Sequence, residues 1–335
     1  MLRLYFEELS RRTFTHLVHP DLVLMNEQNR EHGTVVDPAP PQQWTILSLL
    51  EWASGYLSRR GFDEARLHVE LMLAHVLRLK RLDLYLQFDR PLTPEERGAF
   101  RALFERRLKH EPLQYILGET EFMGLSLAVD RSVLIPRPET ELLVERAVEF
   151  LKARTDQKAE VLDIGTGSGN IAVALGAMAP GATIVSMDTS ADALRVAATN
   201  VARHKLANVT LLEADVFGEF LSGRRFDLLI SNPPYVSREE FQALEPEVRD
   251  HEPSSAVTDN ADGMRVITRI AQIASPRLRP GGALFMELGY NQSERVRELL
   301  AASGLADIEL IPDFARIPRV IAARRPLQEE KGVPQ

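Results

Sequence analysis

The sequence contains no cysteine in its 335 residues. This absence excludes disulfide bonds, zinc–thiolate sites and catalytic thiols, and it fits the reducing environment of the cytosol. No apolar run is long enough to span a bilayer, and charged residues such as Glu7, Glu8, Arg11 and Arg12 interrupt the amino terminus, where a signal peptide would need an apolar stretch. The composition therefore predicts a soluble, cytoplasmic protein with no membrane partner.

An excess of positive charge is missing as well. Acidic residues outnumber lysine and arginine by 48 to 40, and the net charge is −8. Proteins that bind by neutralising many phosphates carry the opposite balance, and the sequence has no zinc-finger spacing or long lysine run. A nucleic acid is therefore not the expected partner. With 44% hydrophobic residues, a chain of this length can form two cores, and hence two domains.

The most informative segment is Ser231-Asn232-Pro233-Pro234-Tyr235, which directly follows an apolar, strand-like run. An amide nitrogen is a poor nucleophile because its lone pair is delocalised. The Asn232 side-chain oxygen and the Pro233 carbonyl can accept its two N–H groups, the prolines make the geometry rigid, and Tyr235 can cover the planar group. We call residues 232–235 the acceptor clamp and predict that they are catalytic and substrate-binding. The alternative is a proline-rich turn that ends a strand.

A glycine-rich turn lies upstream, between a strand-like run that ends at Ile164 and an apolar helical run that starts at Ile171. Its G-x-G-x-G spacing differs from the G-x-G-x-x-G of dinucleotide-binding loops, but it also allows a ligand to approach the backbone at a strand end. Two later strand-like runs end in acids, Asp188 and Asp215. In an adenosyl-cofactor site, Asp188 would contact the ribose and Asp215 the adenine, although each acid alone could be a solvated strand end. The predicted cofactor-binding residues are Gly165, Thr166, Gly167, Ser168 and Gly169, which form the glycine loop, together with Asp188, Asp215, Val216, Phe217 and Asn232.

With these motifs in order, the chain resembles the S-adenosylmethionine-dependent methyltransferases, and more narrowly the PrmC/HemK family, which methylates a glutamine of peptide chain release factors. The resemblance covers roughly residues 44 to 325. It rests on residues 111–118 and 134–141, the glycine loop and the acceptor clamp, with further matches at Val248-Arg249, Glu252-Pro253 and Asp262-Gly263.

The resemblance implies S-adenosylmethionine as the cofactor, no metal, and N5-methylation of the glutamine in the Gly-Gly-Gln loop of release factors, which would be the partner proteins. It also implies that Arg137 and Glu139 lie near the glutamine pocket. The alternative for these two residues is a structural loop that caps the next helix. Family members usually carry an aromatic residue directly after Asp215, where this chain has Val216, so stacking on adenine passes to Phe217 or is lost.

Repeated strand and helix units predict an α/β fold, a Rossmann-like, doubly wound and mostly parallel sheet, with a small N-terminal helical bundle domain. We predict a peripheral extension and linker at 1–43, a helical substrate-recognition domain at 44–118, a hairpin and connecting loop at 119–138, a methyltransferase domain at 139–325 and a frayed tail at 326–335. The role of the helical domain in gripping a release factor is implied by the resemblance alone.

Three other functions stay open at this stage. The acceptor clamp cannot distinguish a glutamine amide from the adenine amino group, because both are NH2 groups on an sp² carbon. A DNA or RNA adenine N6-methyltransferase and a glutamine methyltransferase for ribosomal protein L3 are therefore alternatives. A scaffold without turnover is the third, although its expected damage to the glycine loop or the acceptor clamp is not seen. Direct transfer needs no histidine base, so we expect His110, His204 and His251 to be surface or packing residues.

Overall fold

The structure is a computed structural model that describes residues 40–154 and 158–327. The described residues divide into two compact units, with the boundary between Lys109 and His110. The predicted extension at 1–43 lies outside the described residues except for its last four positions, and most of the predicted tail at 326–335 also lies outside them. Within the described part of the chain, no helix is both long and apolar enough to cross a membrane.

The first unit is helical, as its apolar spacing predicts. Its helices are α1 Ile46–Arg59, α2 Ala65–Leu77, α3 Arg81–Leu86 and α4 Pro94–Arg107. Helix α4 starts with a capping box, in which the Thr93 hydroxyl accepts the Glu96 N–H at 3.2 Å and the Glu96 carboxylate accepts the Thr93 N–H at 2.9 Å. It ends at Arg107.

The second unit starts with helix α5 and the predicted hairpin, and then builds the large sheet. The hairpin strands are β1 Glu119–Phe122 and β2 Leu125–Ala128, and α5 is Leu113–Leu117. The strands of the large sheet are β3 Glu160–Ile164, β4 Thr183–Asp188, β5 Val209–Glu213, β6 Phe226–Ser231, β7 Leu278–Glu287, β8 Ala306–Pro312 and β9 Pro318–Arg324. The remaining helices are α6 Glu139–Lys152, α7 Asn170–Met178, α8 Ala191–Arg203, α9 Arg238–Ala243, α10 Pro246–His251, α11 Ser254–Val257, α12 Arg265–Arg277 and α13 Ser293–Ala302.

The large sheet has seven strands in the order β5-β4-β3-β6-β7-β9-β8. Strands β3 to β7 pair in parallel, and β8 and β9 form an antiparallel pair at one edge. Together with the helical first unit, this confirms the predicted fold class. The chain runs outward from β3 to β5 and then returns to β6 beside β3. Ligands bind at such a switch point in open α/β sheets, outside the carboxyl ends of the strands.

Strand β7 is longer than the sequence predicts. We expected the turn-forming segment 280–282 to precede a strand at 283–288, whereas β7 already begins at Leu278. The reason is a register shift in which Phe226 pairs with Leu278 and Leu228 pairs with Ala283, so that the Pro-Gly-Gly segment bulges within the ladder. Because the pairing resumes beyond the bulge, the strand still ends at Glu287, next to the end of β6.

Helices cover both faces of the sheet, and alternate residues of each strand serve two separate cores. Val161 belongs to the core beneath α6 and α7, whereas its neighbour Leu162 belongs to the core beneath α12 and α13. This alternation follows from the two-residue period of a strand, and it explains why the central strands are apolar on both sides. Each fully buried aliphatic side chain stabilises the fold by about 1.5–3 kcal/mol.

Candidate active site

The glycine loop leaves β3 at the switch point and leads into α7. The N–H groups of Gly165 and Thr166 both donate to the Met187 carbonyl, at 2.8 and 2.9 Å, which fixes the start of the loop against β4. Gly165, Gly167 and Gly169 have φ values of +83°, +50° and +80°, a region that favours glycine. A Cβ at Gly167 would meet no atom of the described residues within 4 Å, so among these residues the backbone here is left open to a ligand.

Asp188 at the end of β4 holds the glycine loop from the side. Its Oδ2 accepts the Gly167 N–H and its Oδ1 accepts the Ser190 N–H, both at 2.9 Å. A carboxylate oxygen has two acceptor positions, so one remains on each oxygen. The partly exposed Asp188 can therefore accept further hydrogen bonds from vicinal hydroxyls, as predicted for a ribose.

A buried carboxyl group lies beneath the loop. Asp163 in β3 is fully buried, and its Oδ2 accepts the Ser186 hydroxyl at 2.6 Å. Ser186 is also within hydrogen-bonding distance of the Thr166 hydroxyl. Burial raises the pKa of Asp163 to about 7. Its Oδ1 and the Ser168 hydroxyl are buried and find no hydrogen-bond partner among the described residues, so the loop offers polar groups suited to a ligand with N–H donors or positive charge.

The acceptor clamp follows β6, immediately beside the glycine loop. The Ser231 hydroxyl donates to the Ile164 carbonyl at 2.7 Å, and a Cβ at Gly165 would lie 3.9 Å from the Asn232 carbonyl oxygen. The two motifs, more than sixty residues apart in the chain, thus meet at adjacent strand ends. The sequence predicted both motifs, and the parallel pairing of β3 with β6 brings them together.

A chain of buried and partly buried hydrogen bonds holds the acceptor clamp in place. Asn232 Nδ2 donates to Thr140 Oγ1 at 3.1 Å, and the Thr140 hydroxyl donates to Glu287 Oε2 at 2.7 Å. The Tyr235 hydroxyl donates to the other carboxyl oxygen of Glu287 at 3.2 Å. Asn232 Oδ1 accepts no hydrogen bond from the described part of the chain, so it remains available as an acceptor.

The backbone after the clamp is fixed by two residues that the clamp motif does not contain. Gln292 Nε2 donates to the Tyr235 carbonyl at 2.9 Å. Gly263 has φ +75°, and a Cβ there would lie 2.1 Å from the Tyr235 oxygen. Because no side chain tolerates such an approach to backbone, only glycine allows Tyr235 its observed position.

The proline loop before α6 is tied to the segment that follows the acceptor clamp. Arg137 Nη2 lies 2.6 Å from Glu252 Oε1, and Glu252 Oε2 accepts the Ile135 N–H at 3.3 Å. Burial raises the pKa of Glu252, and the Arg137 charge opposes this rise. Glu139 precedes Thr140, and its Oε2 is buried without a partner among the described residues. The charge of Arg137 lowers the pKa of Tyr235, and that of Glu139 raises the pKa of Glu287. Arg137 and Glu139 therefore lie near the clamp, while their contact with a substrate stays a prediction.

The remaining predicted cofactor residues, Asp215, Val216 and Phe217, follow the end of β5. Asp215 Oδ1 accepts the Phe217 N–H at 2.9 Å, which forms a local turn. Val216 packs in the core beneath α12, whereas Phe217 is 42% exposed, with the Arg265 guanidinium 4.7 Å from its ring centre. Of the two, Phe217 offers an accessible aromatic face. Its stacking on adenine stays a prediction.

Sequence reasoning assigned no role to Asp163, Thr140, Glu287 or Gln292. Asp163 and Glu287 could have been noticed, because an acid within or at the end of an apolar parallel strand is costly to bury unless it has partners. Thr140 lies within a motif that supported the family resemblance, but no local pattern connects it to Glu287, 147 residues away.

A doubly wound sheet with the glycine loop, the acid at the end of β4 and the acceptor clamp at adjacent strand ends defines an S-adenosylmethionine-dependent methyltransferase. Residues 139–246 match the family model described as "Methyltransferase small domain". The catalytic domain of hMettl16, solved in complex with MAT2A 3′UTR hairpin 6, shares this fold with a TM-score of 0.52 at 18% identity, covering 68% of this chain and 86% of that one.

Comparisons along the full sequence narrow the class further. Residues 48–118 match the model "PrmC N-terminal domain". The release factor glutamine methyltransferase of Geobacter sulfurreducens is 45% identical and covers 85% of this chain and 98% of its own length. That of Chlorobaculum tepidum is 42% identical, with coverages of 82% and 96%. The chain belongs to the release factor glutamine methyltransferase family, which confirms the resemblance seen in its motifs.

Proposed function

We propose that this protein methylates the side-chain amide nitrogen, N5, of the glutamine in the Gly-Gly-Gln motif of peptide chain release factors. Family membership supports the reaction and the substrate. The structural observation that carries the proposal is the orientation of the Asn232 side chain. Its Nδ2 donates to Thr140 and its Oδ1 accepts no hydrogen bond from the described residues, while the Asn232 backbone lies beside the glycine loop.

The donor half of the site is formed by the glycine loop and the strand-end acids. S-adenosylmethionine, when bound, supplies a methyl group on a positively charged sulfur and leaves as S-adenosylhomocysteine. Backbone at residues 165–169 would line its binding site, and Asp188 would accept its ribose hydroxyls with the acceptor positions that Gly167 and Ser190 leave open. The unpartnered Asp163 oxygen fits the amino group of a cationic cofactor, and Asp215 and Phe217 would meet its adenine.

The acceptor half would prepare the amide for attack. Asn232 Oδ1 and the Pro233 carbonyl accept its two N–H groups, which localises the nitrogen lone pair for the new N–C bond. As this bond forms, the methyl group would leave the sulfur, which keeps the bonding electron pair. One N–H proton would pass to solvent water, so that the methylated amide is neutral. Tyr235 would cover the planar amide. Burial and the neighbouring Glu287 raise the pKa of Tyr235, so its hydroxyl stays neutral and keeps donating to Glu287. Rigid positioning therefore supplies much of the rate enhancement.

Substrate recognition would extend beyond the acceptor clamp. In this proposal residues 44–118 bind the release factor, and Arg137 and Glu139 line the glutamine pocket. Release factors act in translation, so the cytoplasm is the corresponding location. Nothing in the reaction calls for a nucleic acid as the direct substrate.

The test uses purified protein and methyl-labelled S-adenosylmethionine with four substrates offered separately. These are a release factor, the same factor with its Gly-Gly-Gln glutamine changed to alanine, ribosomal protein L3 and DNA. We expect label on the first alone. Label on L3 or DNA instead would support one of the alternative methyltransferases, and label on none would support a scaffold without turnover.

A further inference from the structure

We propose that Glu287 is a positioning residue whose negative charge, transmitted through the Thr140 hydroxyl, determines which end of the Asn232 amide faces the substrate. The inference rests on the proposed function, because it concerns how the acceptor clamp accepts an N–H group. It assigns roles to two residues outside the clamp that reach it only through hydrogen bonds.

The argument starts from the donors and acceptors that the three side chains can offer. An ionised carboxylate only accepts, and a hydroxyl has one proton to donate. Thr140 gives that proton to Glu287, so towards Asn232 its oxygen can only accept. The side chain of Asn232 must therefore present its NH2 group to Thr140. Its carbonyl oxygen then points away from Thr140 and is the group left to meet the substrate amide.

Protonation of Glu287 would permit the opposite order. A neutral carboxyl group can donate its proton to Thr140, and the Thr140 hydroxyl can then donate to Asn232 Oδ1. The Asn232 side-chain amide would rotate by about half a turn and present its NH2 group to the substrate. Two N–H donors would then face each other, and the acceptor clamp would lose one of its two acceptors.

Several charged groups around Glu287 make this switch relevant near neutral pH. Burial and, to a smaller extent, the charge of Glu139 raise the pKa of Glu287, the bonds from Thr140 and Tyr235 and the charge of Arg319 lower it, and the net pKa is about 7. Thr140 lies in the first turn of α6, where the positive end of the helix dipole favours a nearby anion.

The same carboxyl group also reaches Tyr235. Each of its oxygens accepts one hydroxyl, from Thr140 on one side and from Tyr235 on the other. Glu287 thus connects the first and last residues of the acceptor clamp from a strand that the motif does not include. A glutamine in its place carries an NH2 group where one of these two oxygens stood, so the hydroxyl on that side loses its acceptor.

The first test measures kcat with a release factor at saturating cofactor, and S-adenosylhomocysteine affinity by titration. We expect Glu287→Gln and Thr140→Val to lower kcat about tenfold or more, with cofactor affinity changed less than about twofold. Thr140→Ser restores the hydroxyl and should return kcat to within about threefold of the original protein. Wild-type kcat should rise with pH through about 7, and both disruptive variants should lose this step.

A matched control separates positioning from the general effect of altering a buried carboxylate. Glu70 in α2 is equally buried and accepts hydrogen bonds from Arg66, Arg81 and Tyr85. Glu70→Gln should lower thermal stability but leave the pH step in kcat at its original midpoint. If Glu70→Gln abolishes this step as Glu287→Gln does, the positioning role of Glu287 is overturned.

A second readout does not depend on substrate. In nitrogen-15-labelled protein, the Asn232 side-chain NH2 signals can be assigned by their loss in Asn232→Ala. We expect them to shift with pH with a midpoint near 7, and to stop responding in Thr140→Val and Glu287→Gln. A pH-independent signal in the original protein, or unchanged kcat in both variants, would overturn the inference. If the Asn232 signals shift with pH as expected but no label enters the release factor, only the proposed function is contradicted.

Discussion

The donor and acceptor halves of the site are built differently, although they meet at neighbouring strand ends. The donor half is held largely by backbone groups, with the glycine loop bonded to the Met187 carbonyl and to Asp188. The acceptor half is held by a side-chain network, in which Glu287 lies behind Thr140, Asn232 and Tyr235. One half offers open backbone, and the other fixes the orientation of individual polar groups.

This difference corresponds to what each half has to do. A cofactor with many polar groups can be held by several backbone and carboxylate contacts, none of which has to be perfectly placed. A methyl acceptor presents one nitrogen, and its lone pair must be aligned within a narrow range. A rigid side-chain network restricts rotamers and so favours one alignment. We therefore expect mutations in the acceptor half to change turnover and mutations in the donor half to change cofactor affinity.

The largest expected effect tests the acceptor half directly. Asn232→Ala removes the acceptor oxygen and should lower kcat about 10²–10³-fold, the usual range for the loss of one preorganised polar group at a reacting centre. Cofactor affinity, measured by titration with S-adenosylhomocysteine, should stay within about threefold. An affinity that falls as much as kcat would show that Asn232 belongs to the donor half as well.

The next effect concerns the backbone that supports Tyr235. Gly263→Ala would place a Cβ 2.1 Å from the Tyr235 carbonyl oxygen, so the segment has to move. Gly223→Ala is the matched control, because Gly223 has the same φ of +75° and nothing within 4 Å of a Cβ. In urea unfolding, Gly263→Ala should cost about 2–3 kcal/mol more than the control, the range for overpacking a close contact. If both variants lose the same unfolding free energy, the contact between the new Cβ and the Tyr235 carbonyl oxygen does not destabilise the fold.

A smaller effect is expected from the donor half. Asp188→Ala removes acceptors for the ribose hydroxyls and for the Gly167 N–H, and should weaken cofactor binding about tenfold, since hydrogen bonds to a charged group contribute about 1.5–3 kcal/mol. With saturating cofactor, kcat should change much less. Asp192→Ala, an exposed acid on α8 paired with Arg195, should leave affinity unchanged. If Asp188→Ala binds the cofactor as tightly as the original protein, Asp188 does not accept the ribose hydroxyls.

The smallest expected effect is on the pH dependence of stability, to which each half of the site contributes one buried carboxyl group. Asp163 and Glu287 both have a pKa raised to about 7, chiefly by burial. The folded state therefore binds protons more tightly than the unfolded state. Stability falls as pH rises from the unfolded pKa, about 4, through the folded pKa, about 7, and levels off above it. Between about pH 6 and pH 8 each group should lower the unfolding free energy by about 1 kcal/mol. Asp163→Asn should remove about half of this slope, and an unchanged slope would exclude Asp163 as a source.

Much of the donor half could be predicted from the sequence because its chemistry is local. Glycines with positive φ, a strand before them and an acid at the end of the next strand are adjacent patterns, and the structure has all three. The bulge in β7 was not predicted, because prolines and glycines usually end a strand and only the partner β6 shows that pairing continues beyond them.

The support of the acceptor clamp could not be predicted in the same way. Thr140 lies 92 residues from Asn232 and 147 from Glu287, and only the order of strands in the sheet brings them within hydrogen-bonding distance. Gly263 likewise reads as an ordinary turn glycine until the Tyr235 carbonyl is seen beside it.

The amino-acid sequence by itself determined the class of chemistry, since the glycine loop and the acceptor clamp carry their meaning in contiguous residues whose backbone preferences are intrinsic. The tertiary structure decided which end of the Asn232 amide faces the substrate, and it decided the environment of the buried carboxyl groups Asp163 and Glu287. These depend on burial and on hydrogen bonds between distant segments, and such interactions exist only after the parallel sheet has aligned the ends of β3, β4, β6 and β7 at one edge.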